Sequence, residues 1–124
     1  MSEDQLKCML RNGMVIGSHG YDHVWLGSLS KERQIEEMSR SISFLTDLGV
    51  DMTTLSIGYP YGSYNEDTLS VVSDYNFKLG FTTMVDVASS IMISPLNNLT
   101  IPRLDTNDFP KDSKSAPNDW FYKA

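Results

Sequence analysis

Both histidines of the chain, His19 and His23, lie four residues apart in GMVIGSHGYDH, at the end of an apolar run. Two imidazoles at that spacing point the same way when the loop takes a helical turn, and neutral imidazole is the commonest protein ligand for zinc and related metals. The pair is a candidate metal site, set against the plainer reading of two loop histidines adjacent by coincidence. A catalytic zinc takes three protein ligands and keeps one position open. The chain has no third histidine, so the third ligand must be a carboxylate.

The second stretch suited to chemistry is GYPYGSYN, Gly58 to Asn65. Pro60 and Gly62 fix the backbone of a tight loop, and N–H groups held that way can face a developing oxyanion. Tyr59, Tyr61 and Tyr64 offer a platform for a sugar ring. An ordinary tyrosine-rich turn would look the same.

These loops need elements to hold them. Ser2 caps a first helix running through Asn12, with Leu6, Met9 and Leu10 on one face and Gly13 at its end. Met14 to Gly17 reads as a short buried strand that delivers His19. From Ser30 to Leu48, Ile35, Met38, Ile42, Leu45 and Leu48 recur at helical spacing, with Ser30 as cap and Gly49 as stop. Leu55 to Gly58 is a second short strand leading into YPYGSYN. Asn65 to Phe77 is a helix, and Leu79 to Thr83 and Leu99 to Leu104 are further strands. Strands alternating with helices predict an α/β fold with a parallel sheet and right-handed crossovers. In such folds ligands gather at the carboxyl ends of strands, where both loops fall. Ser89 to Asn98 fits no element clearly, and the tail after residue 108 is polar and irregular, ending in Trp120, Phe121 and Tyr122.

Composition narrows the function. With 124 residues, 40% of them hydrophobic, the chain is long enough for one core. Its formal net charge of −6 and scattered Lys and Arg give no footprint for a phosphate backbone, so nucleic acid is not expected as a partner. Cys8 stands alone, so no internal disulfide can form. No apolar run reaches the roughly 20 residues that span a bilayer. MSEDQLKCML lacks the pattern of a secretion signal, and a cytoplasmic location is the expectation.

Taken in order, SHGYDH after a strand, a capped amphipathic helix, YPYGSYN after the next strand and then LGFTT resemble the polysaccharide deacetylase (NodB-homology) family, also called carbohydrate esterase family 4. The resemblance runs from about Asp4 to Asp108 and gives the expected domain, residues 1–108, with 109–124 as its tail. It implies a distorted (β/α) barrel that removes acetyl groups from N-acetylated sugars, using a divalent metal, zinc foremost, held by one aspartate and two histidines. His19 and His23 stand at the two histidine positions. The backbone N–H of Tyr61 would help hold the oxyanion, and Tyr59, Pro60 and Tyr61 would wall the substrate groove, with Asp86 beside it.

The family's first motif, a Thr-Phe-Asp-Asp type segment carrying the base and the metal-binding aspartate, has no match before His19. The chain therefore resembles the C-terminal portion of a deacetylase domain, without its opening strands, and alone it is expected to bind metal weakly. Gly58 stands where the third motif usually has arginine, and Arg103 is the candidate substitute. The family's late histidine is absent too. Asp105, with Asp86 and Asp108, is the nearby acid to examine, though each also reads as a solvated loop carboxylate. The expected function is metal-dependent deacetylation as part of a larger domain; the alternative is a non-catalytic carbohydrate-binding relic. Loss of the opening strands would leave a sheet edge unpaired, which predicts self-association.

Overall fold

Ser30 and Gly49 bracket the longest helix as their chemistry dictates. The Ser30 hydroxyl accepts from Arg33 N, and Gly49 takes the left-handed conformation, φ 96°, that ends a helix at little cost. In the computed structural model, residues 1–88, 98–109 and Lys114 are described. The helices are α1 (Glu3–Arg11), α2 (Lys31–Leu48) and α3 (Glu66–Asp74), and the strands are β1 (Ser56–Gly58), β2 (Leu79–Val85) and β3 (Ile101–Arg103). Capping boxes start α1, from Ser2 and Gln5, and α3, from Asn65 and Thr68. Among the described residues, no helix is long and apolar enough to cross a membrane.

The strands form a parallel sheet in the order β1-β2-β3, with Ser56 beside Leu79 and Phe81 beside Ile101. The architecture is the α/β arrangement that alternating strands and helices predict. Leu26, Met38, Leu45, Leu55, Ile57, Tyr59, Val71, Val72 and Phe77 make the core between α2, α3 and β1.

Three expectations change. Met14 to Gly17 is not a strand: Val15 is 80% exposed, and only Ser18 pairs, as a single parallel bridge to Ile57. An apolar run becomes a buried strand only where something covers both its faces, and the described residues put nothing over Met14 and Val15. The α3 helix stops at Asp74 instead of Phe77, because Asn76 turns to φ 63° and sends Phe77 into the core. Third, Ile35 points outward from α2, while Gln34, Glu37 and Ser41 are buried.

That polar stripe, at i, i+3 and i+7 on one helical face, is what holds the loops. Gln34 donates to Leu29 O and to Asn65 Oδ1, and accepts from Thr68, tying the entry of α2 to the cap of α3. Ser41 Oγ lies 2.7 Å from Ser18 Oγ. Glu37, only 2% exposed, accepts hydrogen bonds from Tyr21 N and Asp22 N, both at 3.0 Å, at one carboxylate oxygen.

A buried amide left without a partner costs about 1–3 kcal/mol. Glu37→Ala should therefore lower stability by about 3 kcal/mol, read as a reduced urea midpoint with fast hydrogen exchange at the Tyr21 and Asp22 amides. Glu37→Gln keeps an accepting oxygen and should lose about half as much. Unchanged exchange at those amides in Glu37→Ala would contradict the role given to this carboxylate.

Candidate active site

Ser18 is the fixed point from which the first loop leaves the sheet. Its N–H donates to Ser56 O at 2.7 Å and its carbonyl accepts from Gly58 N at 2.9 Å, so the chain is stitched to β1 immediately before His19. Gly20 then turns back, accepting φ +73°; a Cβ there would sit 3.5 Å from Pro60 Cγ and 3.7 Å from Glu37 Oε2. Beyond it, Glu37 grips the Tyr21 and Asp22 amides. Asp22 also pairs with Arg40 at 3.2 Å, and the Arg40 guanidinium lies 3.9 Å over the Tyr21 ring. The loop is held from α2 at each step between the histidines.

His19 Nδ1 is 2.6 Å from the carbonyl oxygen of Gly58. A carbonyl has no proton to give, so Nδ1 donates, and the neutral ring keeps the lone pair of Nε2 for another partner. Metal-binding histidines are commonly fixed by such a bond at the other nitrogen. The His23 ring centroid is 4.9 Å from that of His19, and His23 holds φ 55°, a left-handed conformation that a side chain rarely adopts. Two imidazoles thus lie side by side at the end of the sheet. They fit two positions of a metal site; among the described residues no third His, Cys, Asp or Glu joins them in a cluster.

The second loop follows β1. Tyr61 also has positive φ, 57°, within the 3-10 turn Pro60–Gly62. Gly62 beside it is required, since φ is +67° and a Cβ would run into Thr83 of β2. Gly62 N and Ser63 N donate to Tyr59 O and Pro60 O, closing the turn. The Tyr61 ring lies 4.7 Å from His23 and stacks on Trp25, with centroids 4.4 Å apart and planes 3° from parallel. Strained backbone concentrated at one place is a mark of functional sites.

Of the three groove-wall residues expected from the sequence, only Tyr61 faces solvent. Tyr59 is 1% exposed and its hydroxyl donates to Leu99 O at 2.7 Å, so it belongs to the core. Burial pushes its pKa well above the ordinary tyrosine value, with a smaller contribution from Tyr64, and the hydroxyl remains a donor. Pro60 is buried as well, beneath the His19 loop.

Arg103 and Asp105 come together, with Thr82, Thr83 and Asp108, around a cleft of about 380 Å³ at the ends of β2 and β3. Arg103 Nε donates to Thr82 O at 2.9 Å. Asp105 is exposed and accepts from Asn107 N and Thr106 Oγ1, which hold its carboxyl below the usual range. A general acid needs the opposite shift. Asp108 accepts from Asp105 N, closing the same turn. Asp86, half-buried, accepts from Val87 N and does not line the cleft. Two residues went unread in the sequence: Glu37, whose only signal was its spacing from Gln34 and Ser41, and Trp25, two residues past His23.

Residues 1–80 match the polysaccharide deacetylase family. Over 89 residues the chain is 36% identical to a Bacillus subtilis (strain 168) protein named "Putative polysaccharide deacetylase YxkH", covering 72% of this chain and 32% of that one. Among solved structures, the Streptococcus pyogenes deacetylase PplD in complex with acetate matches with a TM-score of 0.74 and 32% identity, over 84% of this chain and 44% of that one. IcaB from Ammonifex degensii matches with a TM-score of 0.70 and 24% identity, over 86% and 49% of the two chains, a likeness of fold. The chain thus spans from 32% to 49% of the length of these relatives. The match over residues 1–80, which include both the histidine loop and the Tyr61 loop, shows that the chain belongs to the polysaccharide deacetylase family.

Proposed function

We propose that the chain forms part of a metal-dependent deacetylase that hydrolyses the acetamido group of an N-acetylated sugar or polysaccharide, releasing acetate and leaving an amine. The observation that carries this reading is the His19 ring, fixed through Nδ1 on Gly58 O, with the His23 ring 4.9 Å away. The family match supports it, as does the acetate held by the similar PplD structure.

In this reading His19 and His23 hold a divalent metal, zinc foremost, with a carboxylate from outside the described residues. Such a metal, when bound, polarises the acetyl carbonyl and lowers the pKa of water. The left-handed turn at Tyr61 presents its backbone N–H to the oxygen that gains charge as water adds to the carbonyl carbon. Arg103, anchored on Thr82 O at the cleft, orients the base that takes the proton of that water. The turn-capping carboxylate of Asp105 is given no part in proton transfer.

In the complete domain, His19→Ala and His23→Ala should each lower kcat/KM for acetate release by at least about 1,000-fold, and chelation should abolish activity until zinc returns. Arg103→Ala should lower kcat about tenfold with KM little changed. The 124-residue chain alone should bind zinc weakly, and tight stoichiometric binding lost in His19→Ala would contradict the missing third ligand. Oligosaccharide bound by the complete domain with no acetate released, metal supplied, would favour the non-catalytic role instead.

Met14 and Val15 stand exposed beside the Ser18 edge of the sheet, and the chain self-associates through them. Sedimentation should show dimers growing with concentration, and Val15→Lys should return the monomer. A wild-type chain that stays monomeric at all concentrations would contradict this.

A further inference from the structure

We propose that Trp25, stacked on Tyr61, is the floor of a sugar subsite that takes a pyranose ring of the oligosaccharide next to the residue being deacetylated. The proposal rests on the deacetylase reading above and adds to it a residue that determines which saccharides bind. Trp25 is 54% exposed and Tyr61 51%. Burying one large apolar side chain is worth about 1.5–3 kcal/mol, so two adjacent aromatics left half in water are an expense that a ligand would recover.

The stack is built by the backbone and not by the rings alone. Leu26, next to Trp25, is fully buried and anchors the turn that follows. Ser28 N donates to Trp25 O at 3.0 Å. Gly27 N donates to Ser63 Oγ at 3.0 Å, and Asn65 Nδ2 donates to Gly27 O at 3.2 Å. The Trp25 turn is therefore bolted to the loop that carries Tyr61, and the shelf exists before a ligand arrives. Such preorganisation removes much of the ordering cost of binding.

The occupant follows from shape and charge. A flat aromatic face of this size matches the C–H face of a pyranose, whose equatorial hydroxyls and acetamido group stay at the edge in water. The net charge of −6 disfavours an anionic ligand, and an N-acetylhexosamine is neutral. The shelf is continuous with His23 through Tyr61, 4.7 Å away. A ring seated on Trp25 would place the neighbouring sugar of the same chain toward the imidazoles.

The test is calorimetric titration of the 124-residue chain with tetra-N-acetylchitotetraose, in wild type, Trp25→Ala and Trp25→Phe, with zinc binding followed in parallel. Trp25→Ala should weaken the tetrasaccharide by about tenfold or more while zinc binding and the thermal melt stay unchanged. Trp25→Phe, which keeps a flat ring, should stay within about threefold of wild type. Equal affinity in wild type and Trp25→Ala, or no binding to wild type, would overturn the proposal. Binding that depends on Trp25 while the complete domain releases no acetate would uphold the subsite and sink the deacetylase reading alone.

Discussion

One buried carboxylate sets the terms for the candidate site. Removing the charge of Glu37 from water is expensive unless hydrogen bonds replace that water, and here the Tyr21 and Asp22 amides do so. Those amides lie between His19 and His23, so the bonds that stabilise the carboxylate also fix the path of the chain between the imidazoles. Ser41 repeats the arrangement one turn on through Ser18, and Gln34 repeats it earlier through Asn65 and Thr68. The α2 helix thus does two jobs. Its apolar residues Met38, Leu45 and Leu48 pack in the interior, while its polar stripe aims the loops.

Held that way, the loops can carry conformations that an unsupported chain avoids. His23 and Tyr61 both have positive φ, each about 1–3 kcal/mol above a relaxed backbone, and their rings meet at 4.7 Å. Parallel strands make this meeting possible. Because β1 and the Ser18 bridge run the same way, His19 and the Tyr61 turn leave the sheet at the same end, with the β2 and β3 ends that bring Thr83, Arg103 and Asp105 alongside.

What could be read from the sequence was residue type and spacing. The histidine pair, YPYGSYN and the limits of α2 between Ser30 and Gly49 all follow from local chemistry and need no partner to be recognised. The stripe of Gln34, Glu37 and Ser41 did not show, because polar side chains on a helix read as a solvent face, and their partners here include backbone amides and carbonyls that any sequence supplies. Tyr59 illustrates a signal present but unused: two residues past the buried Ile57, the strand alternation turns it inward, while the turn after Pro60 sends Tyr61 out. Met14 to Gly17 failed for the converse reason, since apolar composition records what a segment would bury but not whether anything covers it.

The candidate site depends on His19 and His23 acting as a pair, with the His19 proton held on Nδ1 by Gly58 O. Long-range proton–nitrogen correlation spectra of the imidazoles, recorded before and after millimolar zinc, test this most directly. The expected result is a His19 proton on Nδ1, with zinc shifting the Nε2 resonance of His19 and a ring nitrogen of His23 together. A His19 protonated at Nε2, or two rings that zinc leaves unmoved, would contradict it.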